Sequence, residues 1–165
     1  MDVWLGLGSN LGDRVANLRL AIATLERIGR VGDFSPVYET EPWGLVEQPR
    51  FLNAVCRLQT DLGPHSLLDA LKGIERAMGR LATLRHGPRP IDLDILLYGS
   101  LRIDTPRLKI PHPGMLERST VLVPLADCAP DLRHPVTGRS VAYHLAHLGE
   151  ISGVAPFPPG LEGTA

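Results

Sequence analysis

Hydrophobic and polar positions change period several times along the chain, and each change predicts an element. Val3 to Leu7 is a short apolar run that includes Gly6 and stops at Gly8, the pattern of a buried strand. The turn Gly8-Ser9-Asn10-Leu11-Gly12-Asp13 follows, with Asp13 a suitable N-cap. Val15, Leu18, Ala21, Ile22, Leu25 and Ile28 then share one helical face, which stops near Gly29. Val31 to Tyr38 reads as a second strand, made an edge or bulged one by Pro36.

Glu39 to Arg50 has no clean period and reads as a loop long enough to carry function. From Phe51 to Thr60 the residues alternate, with Leu52, Ala54, Cys56 and Leu58 on one face and Asn53, Arg57 and Gln59 on the other. Gly63-Pro64 opens a second helix, whose face is Leu67, Leu68, Leu71, Ile74 and Met78 and whose end is Gly79. A basic loop runs from Arg80 to Pro90. The strand Ile91 to Leu97 points Ile91, Leu93, Ile95 and Leu97 inward and Asp92 and Asp94 outward. The order βαββαβ predicts an α+β fold of the ferredoxin-like kind, an antiparallel sheet with two helices on one face. Eleven of the 15 prolines lie at or after Pro88, so the last third reads as loops and short elements. Ser119 to Leu125 and Val141 to Leu148 are the expected extra helices. Residues 1–149 form a single domain in this reading, and 150–165 a Pro/Gly-rich tail.

Composition narrows the function. A chain of 165 residues with 44 % hydrophobic and 21 % charged residues builds one core. A net charge of -1 excludes a whole-surface basic field for nucleic acid. Cys56 and Cys128 are too few for a disulfide scaffold and read as small buried hydrophobes. The opening MDVWLGLGSN lacks a basic n-region, and no apolar run is long enough to span a membrane. The expectation is a soluble cytoplasmic protein.

Candidate chemistry concentrates in GRLATLRHGPRPIDLDILL. Asp92 and Asp94 share a strand face with Cα atoms ~7 Å apart. They are either a solvated acidic edge or oxygen ligands for Mg²⁺, which takes its remaining ligands from water and phosphates. Arg80, Arg85 and Arg89 precede them within ten residues, and guanidiniums bind phosphate oxygens bidentately. The Gly8 to Gly12 turn lacks the Lys-Ser/Thr of a Walker A loop and reads as a tight strand-to-helix connection. His112, held between two prolines, favours a polar role over core packing. His65, His134, His144 and His147 show no metal-ligand spacing that carries weight. Asn53, beside Phe51, offers an amide suited to a planar heterocycle.

Taken together, LGLGSNLGDR, YETEPWG, QPRFLNAV, IERAMGR, RHGPRPIDLDILLYG, LKIPHPGMLER and PLADCAPDLRHP resemble the 6-hydroxymethyl-7,8-dihydropterin pyrophosphokinase family of the folate pathway. The resemblance runs from the first strand to about Gly138. It implies transfer of the diphosphate of ATP to the hydroxymethyl group of the pterin, with release of AMP. ATP is then the co-substrate and the pterin the second small-molecule partner, with no nucleic acid and no membrane. Asp92 and Asp94 would hold two Mg²⁺ ions, and Arg80 and Arg89 would be catalytic on the phosphates. Lys72, Glu75, Ile95, Arg107, His112 and Arg118 match positions that contact ATP, with Arg80 and Arg89. Thr40, Pro42, Trp43, Phe51 and Asn53 match positions around the pterin, which also meets Asp92.

The chain departs from the family pattern at several places. Many members have a second aromatic ring where this chain has Thr120. Some carry further basic residues where it has Ala82 and Thr83. Many have an aromatic residue at His86, and some a neutral one at Lys72. The alternative reading is a non-catalytic ferredoxin-like ligand-binding module.

Overall fold

The computed structural model describes residues 1–42, 47–79 and 87–158. In chain order the main elements are β1 (Asp2–Ser9), α1 (Arg14–Leu25), β2 (Arg30–Phe34), β3 (Tyr38–Thr40), β4 (Phe51–Gln59), α2 (Pro64–Ala77) and β5 (Asp92–Tyr98). A small ladder of β6 (Ile103–Asp104) and β7 (Lys109–Ile110) follows, then a 3₁₀ turn (Met115–Glu117), α3 (Ser119–Cys128), α4 (Val141–Ala146) and β8 (Val154–Pro156).

The central sheet is antiparallel in the order β5-β1-β4-β3-β8, and β2 also pairs with β4. β2 and β3 occupy successive stretches of one β4 edge, β2 opposite Cys56 to Gln59 and β3 opposite Phe51 to Asn53. Together they fill the place of one ferredoxin-like strand. The single strand expected over Val31 to Tyr38 is therefore broken in two. The break is at Ser35, whose amide donates to the Val55 carbonyl at 2.9 Å and whose hydroxyl accepts the Val55 amide at 3.0 Å. Pro36 next to it has no N–H for the ladder.

α1 and α2 lie on one face. Asp13 caps α1 by accepting the Ala16 amide at 3.0 Å. Leu18, Ala21, Ile22 and Leu25 of α1 and Leu67, Leu71 and Ile74 of α2 are buried against Val3, Leu5, Leu7, Leu52, Ala54, Cys56, Leu58, Leu93 and Ile95. Cys56 is a buried free thiol and Cys128 a half-buried one. The opposite face carries a second apolar cluster. There Trp4, Val55, Leu96 and Leu97 meet Met115, Leu122, Leu125 and Val141.

Leu97 thus sits on the face opposite to the one expected. β5 has an extra residue at Leu96, because Leu5 pairs with Ile95 and Trp4 with Leu97. This bulge returns Tyr98, rather than Leu97, to the α1/α2 side. The segment expected to be a tail also contributes structure, since β8 lies on the outer edge of β3. The second cluster covers only part of its sheet face. The uncovered part, near the ends of β1, β4 and β5, is where the polar residues gather.

Candidate active site

Strand register builds the floor of the cleft. Gly8 of β1 lies between Asn53 of β4 and Asp92 of β5, and Gly6 lies between Val55 and Asp94. Two rows cross the sheet, each with a glycine in the middle. The space above Gly8 is already in use. A Cβ there would stand 2.8 Å from Asn53 Oδ1 and 3.4 Å from Phe51 Cδ1. The glycine lets the Asn53 amide and the Phe51 ring lean over β1.

One cleft is lined by Gly6, Gly8, Thr40, Glu41, Phe51, Asn53, Arg89, Asp92, Asp94, His112, Arg118 and Thr120, among others. A second opens on the other side of β5, with Lys72, Ile95, Arg107, Leu108 and His112 on its wall. Asp94 and His112 line both. They form the partition between the two clefts.

The two aspartates carry the sharpest electrostatics. Burial, and then the like charge of Asp92, push the Asp94 carboxyl up to about 7. Two carboxylates that resist ionising together are a fitting pair for a cation. Among the described residues no group of three or more His, Cys, Asp or Glu side chains could hold a metal ion. The donor set of two carboxylates suits Mg²⁺, which keeps waters and takes phosphate oxygens.

Arg89 faces this pair. Its Nη2 lies 3.2 Å from Asp92 Oδ2, its Nη1 donates to the Gly87 carbonyl at 2.8 Å, and its guanidinium sits 4.9 Å from the Phe51 ring centre. Its Nε is buried and has no hydrogen-bond partner among the described residues. A buried donor left in this state is costly unless an acceptor arrives, and an anionic oxygen is the fitting one.

His112 is fixed by its amide, which donates to the Leu96 carbonyl at 2.9 Å, and by its Nδ1, which accepts the Gly114 amide at 3.1 Å. Burial, followed by the Arg118 charge, lowers its pKa, so the ring is neutral at pH 7. With Nδ1 accepting, the proton is on Nε2, which is then a donor.

At two positions expected to contact the pterin, Asn53 Nδ2 donates to Thr40 Oγ1 at 2.6 Å, and Thr40 is 1 % exposed. The structure brings Thr40, Phe51, Asn53, Arg89, Asp92, Asp94, His112 and Arg118 to one cleft, and Lys72, Ile95 and Arg107 to the other. Arg107 also pairs with Asp69 on the surface. Pro42 and Glu75 line neither cleft. Glu75 is committed below the sheet, accepting the Leu93 amide at 2.8 Å through Oε1 and pairing with Lys72 at 3.3 Å through Oε2. It thereby holds the backbone between the two aspartates. Trp43, Arg80, Ala82, Thr83, Arg85 and His86 lie outside the described residues.

Asn10 is the residue that the sequence reading missed. It is 1 % exposed, and its Nδ2 donates to Gln48 Oε1 at 2.9 Å and to the Pro49 carbonyl at 3.0 Å. Its Oδ1 accepts the Arg89 amide at 2.8 Å. One side chain thus joins three segments around the cleft. An amide inside a glycine-flanked turn, with no cap to make, was the available signal.

The profile of the 7,8-dihydro-6-hydroxymethylpterin-pyrophosphokinase family matches residues 4–130. The chain is 47 % identical over 157 residues to the 2-amino-4-hydroxy-6-hydroxymethyldihydropteridine pyrophosphokinase of Pseudomonas aeruginosa, covering 94 % of this chain and 92 % of the relative. It is 53 % identical over 127 residues to the mitochondrial folate synthesis bifunctional protein of Arabidopsis thaliana, covering 76 % of this chain and 23 % of that one. Its fold is similar to that of Plasmodium falciparum HPPK-DHPS solved with pteroate, with a TM-score of 0.74 at 19 % identity, covering 88 % of this chain and 42 % of the solved one.

Proposed function

Because the chain belongs to the 7,8-dihydro-6-hydroxymethylpterin-pyrophosphokinase family, we infer that the two clefts along β5 are its substrate sites. The protein is an ATP-dependent diphosphotransferase of folate biosynthesis. It moves the β,γ-diphosphate of ATP to the hydroxymethyl oxygen of 6-hydroxymethyl-7,8-dihydropterin. A bond forms between that oxygen and the β phosphorus, the β phosphorus parts from the α–β bridging oxygen, AMP leaves, and the hydroxyl proton is released to water. Family membership sets aside the non-catalytic binding module. No helix among the described residues is long and apolar enough to cross a membrane.

In our reading the pterin lies in the first cleft and ATP in the second, with the phosphates reaching the partition. Asn53, held by Thr40, presents its amide to the polar edge of the pterin, and Phe51 gives ring surface. Lys72, Ile95 and Arg107 face the nucleotide. Asp92 and Asp94 would hold two Mg²⁺ ions. When bound, these ions supply charge neutralisation on the phosphates and polarisation of the attacking hydroxyl. Arg89, on the cleft wall 3.2 Å from Asp92, would meet the incoming phosphate charge with its guanidinium. Neutral His112 donates through Nε2, and Arg118 adds positive charge at the same wall. Arg80 is proposed as a second phosphate ligand on the family pattern alone.

The observation that carries the reading is the row Asn53–Gly8–Asp92. It puts the amide proposed to bind the heterocycle and the carboxylate proposed to bind metal on the two strands that flank β1, on either side of a glycine. The test is AMP release from ATP with Mg²⁺, with and without the hydroxymethyl pterin. AMP that forms only when the pterin is present supports the assignment. AMP formed without it, or none in its presence, overturns it.

A further inference from the structure

We propose that the C-terminal segment from Gly153 to Phe157 is a positioning strap for the pterin half of the cleft; this rests on the pterin assignment above. The segment lies outside residues 4–130, which the family profile matches. It is also outside the region in which the sequence places chemistry.

The strap acts on β3, the short strand that carries Thr40. On its inner side β3 pairs with β4, Tyr38 with Asn53 and Thr40 with Phe51. On its outer side it pairs with β8, Tyr38 with Pro156 and Thr40 with Val154. Two further bonds extend this ladder past both ends of β3. The Glu41 amide donates to the Gly153 carbonyl at 3.0 Å, and the Phe157 amide donates to the Val37 carbonyl at 2.9 Å. A three-residue strand held from one side only would be a frayed edge. Held from both sides, it can fix the Thr40 hydroxyl that receives the Asn53 amide.

Both ends of the strap are built to fit. At Gly153 the backbone has φ 69°, and a Cβ would come within 3.2 Å of Glu41 Cγ. Glycine therefore allows the chain to press against the residue that follows Thr40 on the cleft wall. At the far end, the Phe157 ring lies 5.4 Å from the Arg14 guanidinium. Arg14 in turn donates to Glu39 Oε2 at 2.8 Å and to the Arg50 carbonyl at 3.0 Å. Glu39 precedes Thr40, and Arg50 precedes Phe51. Arg14 backed by Phe157 thus clamps the residues just before a register pair on the pterin wall. None of these strap residues touches the metal carboxylates or the second cleft.

The experiment compares the full chain with a chain ending at Gly149, a chain ending at Pro158, Phe157→Ala and Phe157→Tyr. Pterin and ATP-analogue binding are measured by calorimetry with Mg²⁺, and KM and kcat in the AMP-release assay. Losing the strap should raise the pterin KM and Kd about tenfold, the scale of one misplaced binding group. ATP-analogue binding and kcat should stay within about twofold, the mark of lost uniform binding to one substrate. The chain ending at Pro158 and Phe157→Tyr should behave as the parent. Unchanged pterin binding in Phe157→Ala and the Gly149 chain overturns the strap. So does a parallel loss of pterin binding, ATP binding and kcat, which would mark a merely structural role. If the Gly149 chain does not fold, Phe157→Ala decides alone. A full chain that binds no pterin overturns the site assignment as well, whereas equal pterin binding by the full chain and the chain ending at Gly149 overturns the strap and leaves that assignment standing.

Discussion

Asn10 and Arg89 are joined twice: the Arg89 amide donates to Asn10 Oδ1 at 2.8 Å, and the Asn10 amide donates to the Arg89 carbonyl at 3.2 Å. The arginine that faces Asp92 is therefore anchored through its backbone to the turn after β1. The same Asn10 side chain reaches Gln48 and Pro49 in front of β4. The wall proposed for the pterin and the Arg89 segment proposed for phosphate share one buried side-chain amide.

Asn10→Ala should cost about 1–3 kcal/mol of stability, the range for leaving buried groups unsatisfied. It should lower kcat/KM for both substrates, since both walls lose their common anchor. Asn10→Asp is the sharper test. It keeps the shape and the Arg89 bond but turns the donor facing Gln48 Oε1 and the Pro49 carbonyl into an acceptor. Denaturant unfolding and steady-state kinetics check both. An Asn10→Asp enzyme with parental kinetics would remove Asn10 from the positioning scheme.

Asp94 is held up to about 7 by burial and by Asp92, so the metal-free protein gains nothing from its charge. Asp94→Asn should leave the melting temperature in chelator unchanged or raise it. The same change should lower kcat by on the order of 10²-fold or more, because a bound metal supplies several kcal/mol of transition-state stabilisation. Function and stability then pull in opposite directions at one residue. A variant that melts well below the parent yet keeps Mg²⁺-dependent turnover would contradict both halves.

Tyr38 gives a pH signature away from Asp92 and Asp94. Its hydroxyl donates to Asp127 of α3, and burial, then that bond and the carboxylate charge, push it up to about 12 from 10.0. A folded pKa above the unfolded one means that the folded state holds the proton more tightly. The contribution is complete below about pH 10 and is lost as the pH rises towards 12. Tyr38→Phe should therefore fall short of the parent at pH 8 and close the gap above about pH 10. Parallel stability profiles for the two proteins across that range would contradict the assignment.

How much of this is legible in the sequence depends on how local the determinant is. Asp92 and Asp94 can be read from a strand's period of two, and Asn53 from the alternation of its own strand. Leu97 cannot, because the bulge at Leu96 is fixed by pairing with β1 rather than by β5 itself. Asn10 acts on partners 38, 39 and 79 residues away, and no window along the chain contains them. β8 has three residues, too few for a period, and exists because β3 offers it an edge. The fold class follows from element order, and the cleft's outline follows from a short stretch dense in cations and carboxylates. The clamps that hold its walls come from tertiary pairing.

Arg89 combines three tasks that a lysine cannot share. Its Nη2 meets Asp92, its guanidinium carbon lies over the Phe51 ring at 4.9 Å from the centre, and its Nε is buried without a hydrogen-bond partner among the described residues. Lysine keeps the charge but has neither a second donor on a rigid fork nor a flat face to stack. If Arg89 acts chiefly as charge develops on the transferred phosphoryl group, Arg89→Lys should lower kcat by about 10²-fold, the scale for one lost charge-stabilising donor. Its ATP KM should move much less, since the contact strengthens in the transition state rather than in the ground state. Arg89→Ala should fall further and also weaken pterin binding, because Phe51 loses the guanidinium that holds its ring. Single-turnover kinetics beside calorimetry separate chemistry from binding. A lysine variant with parental kcat and a raised ATP KM would make Arg89 a ground-state ligand, and the buried Nε would then need another explanation.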